Sequence, residues 1–149
     1  MGNRYGLQIR TATAADARGI AELFATSGRI LDPRALESRI EAVRATPGAL
    51  LLADEWGPPS GLVHLAWIPT IGADRPLAVI EFLLVAPDDR RRGIGRTLLK
   101  AGSQAARAAG CGDLVLSIAG EIDTLGAFCR ATGFDETARE FRRSLRKKS

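Results

Sequence analysis

Val85-Ala86-Pro87-Asp88-Asp89-Arg90-Arg91-Arg92-Gly93-Ile94-Gly95-Arg96-Thr97-Leu98-Leu99 leads from an apolar strand end through a polar turn into a basic loop and then a helix. That order builds an anion site. The first amides of a helix have no intrahelical acceptor, and the helix dipole places partial positive charge there. Gly93 and Gly95 carry no side chain, so a phosphate can approach the amides closely. Neighbouring arginines add full charge and forked donors.

Outward from this stretch, periodicity predicts the remaining elements. Upstream, Leu77 to Ala86 reads as an apolar strand. Leu62 to Ile68 and Ala49 to Asp54 read as two more, joined in a hairpin by Trp56-Gly-Pro-Pro-Ser-Gly61. Asp32-Pro33 starts a helix with Leu36, Ile40 and Val43 on its inner face, stopped by Pro47-Gly48. Thr13-Ala-Ala-Asp16 has the form of a capping box before a helix carrying Ile20, Leu23 and Phe24 and ending near Gly28. Leu7 to Arg10 is a short opening strand.

Downstream, Leu98, Leu99, Ala105, Ala106 and Ala109 line a helix that ends at Gly110. Leu114 to Ile118 is a short apolar strand, expected in the middle of the sheet. Asp123 is the expected cap of a helix with Leu125, Phe128 and Cys129, closed by Gly133. Phe141 to Leu145 is the expected closing strand. The order β-α-α-β-β-β-α-β-α-β predicts a mixed α/β sheet.

At 149 residues, one domain with one ordinary core is expected. No apolar run is long enough for a transmembrane helix, and the start lacks the layout of a signal peptide. Met1-Gly2-Asn3 does not complete a myristoylation pattern, because Gly6 stands where Ser or Thr is required. Cys111 and Cys129 form neither a disulfide framework nor a zinc pattern, so no metal is expected and a reduced cytoplasm is the default compartment. Much of the net charge of +4 sits in Arg139, Arg142, Arg143, Arg146, Lys147 and Lys148. Only Phe141 interleaves with these cations, so the tail reads as a solvated end and nucleic acid is not the expected partner.

The loop is neither G-x-x-x-x-G-K-[ST] nor G-x-G-x-x-G, which excludes Walker-type and dinucleotide Rossmann readings. It reads R-x-x-G-x-G from Arg90 to Gly95. In this it resembles the acetyl-CoA loop of the GNAT superfamily of N-acetyltransferases, [QR]-x-x-G-x-[GA]. Ile9-Arg10-Thr-Ala-Thr-Ala-Ala-Asp16 looks like that family's first strand and helix entry. Leu83-Leu84-Val85-Ala86-Pro87 looks like its fourth strand, and Ala127-Phe128-Cys129-Arg130-Ala131-Thr132-Gly133-Phe134 like its fourth helix.

The resemblance implies a GNAT-like fold: a mostly antiparallel central sheet with a splayed strand pair, flanked by about four helices. It implies that residues 1–149 form one acetyl-CoA-binding domain that moves acetyl from acetyl-CoA to a primary amine, directly, in a ternary complex. The acceptor would be a small-molecule or peptide amine, and dimers are common in the family. Leu83 and Val85 would give main-chain groups to the pantetheine arm. A backbone amide near Leu84 or Val85 would polarise the thioester carbonyl. The amides of Arg91, Arg92, Gly93, Ile94, Gly95, Arg96 and Thr97 would hold the diphosphate, with Arg90 beside them.

The reaction needs a deprotonated amine, a thioester within reach and a stabilised leaving thiolate. Glu81, the one acid inside the apolar strand, is the candidate base. Strict alternation puts it on the face of Leu83 and Val85; its alternative role is an arginine partner or a solvent-facing residue. Cys129 stands where many members carry a tyrosine. It is the candidate acid, with core packing as the alternative. Tyr5 is the only tyrosine, and the asparagine often found early in that helix is missing; Glu121 and Asp123 lie near its place. His64, the only histidine, is a candidate for binding or deprotonating the acceptor, or a structural residue. Trp56 and Trp67 are candidates for pocket lining or packing. With no G-x-S-x-G, a hydrolase triad is not supported. Two other functions stay open: a non-catalytic acyl-CoA-binding regulatory domain of the same fold, and a nucleic-acid-associated protein using the basic loop and tail.

Overall fold

The strand Leu77–Val85, β4 of the sheet, is apolar at eight of nine positions because helices cover the sheet on both sides. The computed structural model describes residues 6–90, 92–117 and 123–146. β1 (Gln8–Thr11), β2 (Gly48–Asp54), β3 (Gly61–Ile68), β4 and β5 (Asp113–Leu116) lie side by side in chain order. Pairs up to β3–β4 are antiparallel, and β4–β5 is parallel. The parallel pair requires a crossover, supplied by helix α3 (Ile94–Ala108).

The helices α1 (Ala17–Ala25) and α2 (Pro33–Arg44) cover one face. Their Ile20, Leu23, Phe24, Leu36 and Ile40 form one core with Leu50, Leu52 and Leu62 of the sheet. Helix α3 covers the other face. Its close approach depends on Gly102, where a Cβ would lie 3.0 Å from Leu65 Cδ1. Gly102 belongs to the inner stripe of α3 with Ile94, Leu98, Leu99 and Ala106.

Where β1 runs into α1, the Asp16 carboxylate accepts from the Thr13 N–H at 2.8 Å and from Arg10 at 2.7 Å. Arg10 also donates to Asp54 of β2 at 2.9 Å, tying helix entry to sheet. The Arg10 hydrogen bond holds the Asp16 carboxyl below its ordinary 3.8, against the opposing effect of burial. A depressed folded pKa gives stability that is present above the unfolded value and lost as pH falls through the folded one. Asp16→Asn should therefore cost about 0.5–2 kcal/mol in urea unfolding at neutral pH. The difference from the parent should shrink in strong acid; a constant difference would refute the assignment.

The chain divides into two compact units, Met1–Leu116 and Ser117–Ser149. In the second, α4 (Asp123–Ala131) ends where Phe134 N–H donates to Cys129 O at 2.9 Å and Gly133 turns at φ 97°. Two expectations are corrected. Residues 141–145 form no strand: Phe141 and Leu145 are 96% and 91% exposed, so the apolar positions that suggested a strand pack against nothing that would hold it. The strand expected at Leu114 to Ile118 is outermost among the described residues, not central, and its side chains are partly exposed. Ile118 and Tyr5 lie outside the described residues, as do Arg91 and Glu121.

Candidate active site

β5 pairs with β4 only from Leu77 to Ile80. Beyond Ile80, β4 continues to Val85 with no partner on that edge among the described residues. The Ala86 N–H donates to Ser60 O across the β3 side at 2.9 Å. Successive residues of an extended strand present their main-chain groups to opposite edges. Leu84 thus turns its N–H and C=O toward β3, and Leu83 and Val85 turn theirs toward the open edge.

The opening coincides with a bulge. Leu65 pairs with Ile80 and His64 with Phe82, so Glu81 is an extra residue between them. A bulge breaks the strict alternation assumed from sequence and re-aims side chains. Phe82 thereby reaches the α1 side, meeting Phe24 edge-on at 5.2 Å between ring centroids, while Ile80 stays buried. Glu81 is exposed. His64 lies half-buried beside it. Burial pushes the imidazole down from its ordinary value, and the nearby Glu81 charge acts the other way. The net direction favours neutral imidazole.

At the far end of β4 a short turn, Pro87–Asp89, leads to Gly93, which caps α3 in the left-handed region at φ 77°. Among the described residues, apart from its chain neighbours and the start of its own helix, nothing lies within 4 Å of where a Gly93 Cβ would be. The Thr97 N–H donates to Gly93 O at 3.0 Å, and the Thr97 hydroxyl to the same oxygen at 2.9 Å. Thr97 is thereby committed, and the amides ahead of the first helical bond are those of Ile94, Gly95 and Arg96. Ile94 is buried and anchors this turn; Gly95 is partly exposed; Arg90 and Arg96 are exposed.

Arg92 behaves differently from its neighbours. Its guanidinium donates to Asp89 at 2.7 Å and to Glu55, just past β2, at 2.8 Å. Both carboxylates keep it charged, Glu55 most. Through Glu55 these ion pairs tie the loop to the end of β2.

On the α1/α2 face lies a cavity of about 250 Å³. Phe24, Leu36, Ile40 and Phe82 line it with His64, Arg29 and Arg39. The two arginines were missed in sequence. Arg39 stands at i+3 from Leu36 but is exposed, beside the buried Leu36 and Ile40 of α2. Arg29 is set by the end of α1, where its N–H donates to Phe24 O at 3.1 Å behind Gly28. In the second unit, Cys129 is buried, and burial pushes its thiol up while Arg130 acts the other way. Trp56 is 78% exposed and lines no cavity described here. Among the described residues no helix is long and apolar enough to cross a membrane.

Among the described residues, this α/β sheet combines a strand edge without a partner and a helix start whose first amides have no intrahelical acceptor. The chain matches the acetyltransferase (GNAT) family over residues 17–134 and belongs to it. It is similar in structure to an Agrobacterium tumefaciens str. C58 protein provisionally described as an acetyltransferase. The identity is 28%, with 93% of this chain and 99% of that one covered, at TM-score 0.82. It is also similar to AAC(6')-Iy in complex with the bisubstrate analogue CoA-S-monomethyl-acetylneamine, at 21% identity, 95% and 99% coverage and TM-score 0.79. A third is an aminoglycoside acetyltransferase from an uncultured soil metagenomic sample in complex with sisomicin, at 19%, 98% and 100%, and 0.79. These last two share the fold. The comparison with curated proteins found no match.

Proposed function

We propose that residues 1–149 act as one domain that transfers acetyl from acetyl-CoA to a primary amine. The observation that carries this reading is the continuity of the open edge of β4 with the free amides of α3. Leu83 and Val85 offer their main-chain groups to the pantetheine arm, and a main-chain N–H on that edge polarises the thioester carbonyl. Ile94, Gly95 and Arg96 amides hold the diphosphate, with Arg90 and Arg96 side chains adding charge.

Glu81 takes one proton from the incoming ammonium, directly or through water. The amine nitrogen attacks the carbonyl carbon and the C–N bond forms; the nitrogen gives its second proton to water as the C–S bond breaks. The CoA thiolate leaves, and Cys129 is the candidate donor of its proton. Its raised pKa keeps the thiol protonated at neutral pH. Turnover unchanged in Cys129→Ala would assign that residue to packing alone.

The test is a thermal-shift series with acetyl-CoA, ATP and NAD, followed by CoA release with a panel of amines that includes aminoglycosides, the class named for two of the similar structures. Acetyl-CoA should raise the melting temperature, and at least one amine should release CoA. Stabilisation without release by any amine would favour the non-catalytic binding domain. Arg90→Ala with Arg96→Ala should weaken CoA binding by about tenfold. Calorimetry reads this directly, and unchanged affinity would contradict the assigned role of both side chains.

A further inference from the structure

We propose that the acceptor amine carries its own anionic group, a carboxylate or phosphate, held by Arg29 and Arg39. The inference rests on the acetyltransferase reading above and adds the class of acceptor.

The cavity between α1, α2 and the sheet adjoins the bulge at Glu81, because His64 and Phe82, the two residues paired there, form part of its wall. An amine bound with its nitrogen at the His64 and Phe82 wall faces the bulge that carries the proposed base. Most of the lining is apolar, and among the described residues the charged side chains in it are Arg29 and Arg39, both exposed. No carboxylate among the described residues pairs with either of them.

Arg29 is held in place. Its guanidinium carbon lies 5.6 Å from the Phe24 ring centroid and 5.4 Å from that of Phe82. Stacking orients the planar fork while leaving its N–H edge for an oxyanion. Arg39 stands exposed on α2 beside the buried Leu36 and Ile40, and lines the cavity with them. Two guanidinium groups on one small apolar cavity are complementary to an anion and repel a polycation. At about 250 Å³ the cavity is smaller than the ~300–1,000 Å³ of drug-sized sites, which suits a compact acceptor with a short apolar body.

Matched pairs of amines test this. Leucine against leucinamide isolates the carboxylate; O-phosphoethanolamine against ethanolamine isolates the phosphate; spermidine is the polycation. The anionic member of at least one pair should exceed its neutral partner about tenfold or more in kcat/KM, and the pair that does so identifies the anion. Arg29→Gln and Arg39→Gln should raise KM for that amine with kcat little changed, and should erase the preference. Arg39→Lys should restore part of it. Equal use of both members in each pair, better use of spermidine, or an intact preference in both glutamine variants would overturn the proposal. If no amine turns over, the transferase reading fails separately. Calorimetry of the same pairs on CoA-saturated protein then decides: anion-selective binding lost in the variants supports the pocket, and its absence refutes it.

Discussion

Glu81→Gln should lower kcat for the preferred amine by about 10²–10⁴-fold, the range for removing a positioned general base. Affinity for acetyl-CoA should be unchanged, because the groups assigned to the cofactor, main-chain and side-chain alike, lie beyond the bulge. The pH dependence separates this from a structural effect. As pH rises, the amine loses its proton to solvent without help, so the deficit of the variant should narrow. A packing defect would persist at every pH. Full turnover by Glu81→Gln at neutral pH would remove the residue as base, and would turn attention to the neutral imidazole of His64 beside it.

Leu98→Ala should cost about 2–5 kcal/mol, a large share of the roughly 5–15 kcal/mol that holds a domain together. Leu98 is fully buried, one turn into the helix whose start is assigned to the diphosphate. A Cβ on Gly61 would lie 2.9 Å from Leu98 Cδ1, which shows how tightly the two elements meet. Truncation leaves a void that neighbours in a close-packed sheet cannot fill. The melting temperature should fall by roughly 10 °C, with acetyl-CoA recovering part of it through binding to the native state. A fall of only about 1 °C would mean that α3 does not depend on this contact.

Much of the fold was legible because its signals are local. The apolar run of β4, the Asp32-Pro33 helix start and the stripe of α3 were read within a residue or two of their observed bounds. The antiparallel pairing of β2 and β3 followed from the short turn between them. The failures have a different physics. The bulge at Glu81 is invisible in an unbroken apolar run, since nothing in the residue types marks the extra position. Arg92 looked like its basic neighbours because its partner Glu55 is distant in sequence. Phe141 and Leu145 flank arginines in a strand-like pattern, yet a strand needs a neighbour, and pattern alone does not supply one. Arg29 and Arg39 went unread because exposed arginines have no pattern of their own in the sequence.

The anion cradle is the part on which the acetyl-transfer reading depends, and a crystal structure with bound CoA tests it most directly. The diphosphate oxygens should lie about 3 Å from the amides of Ile94, Gly95 and Arg96, with the pantetheine arm along Leu83 and Val85 on the open edge of β4. CoA bound elsewhere, with that helix start empty and that edge bare, would contradict the account.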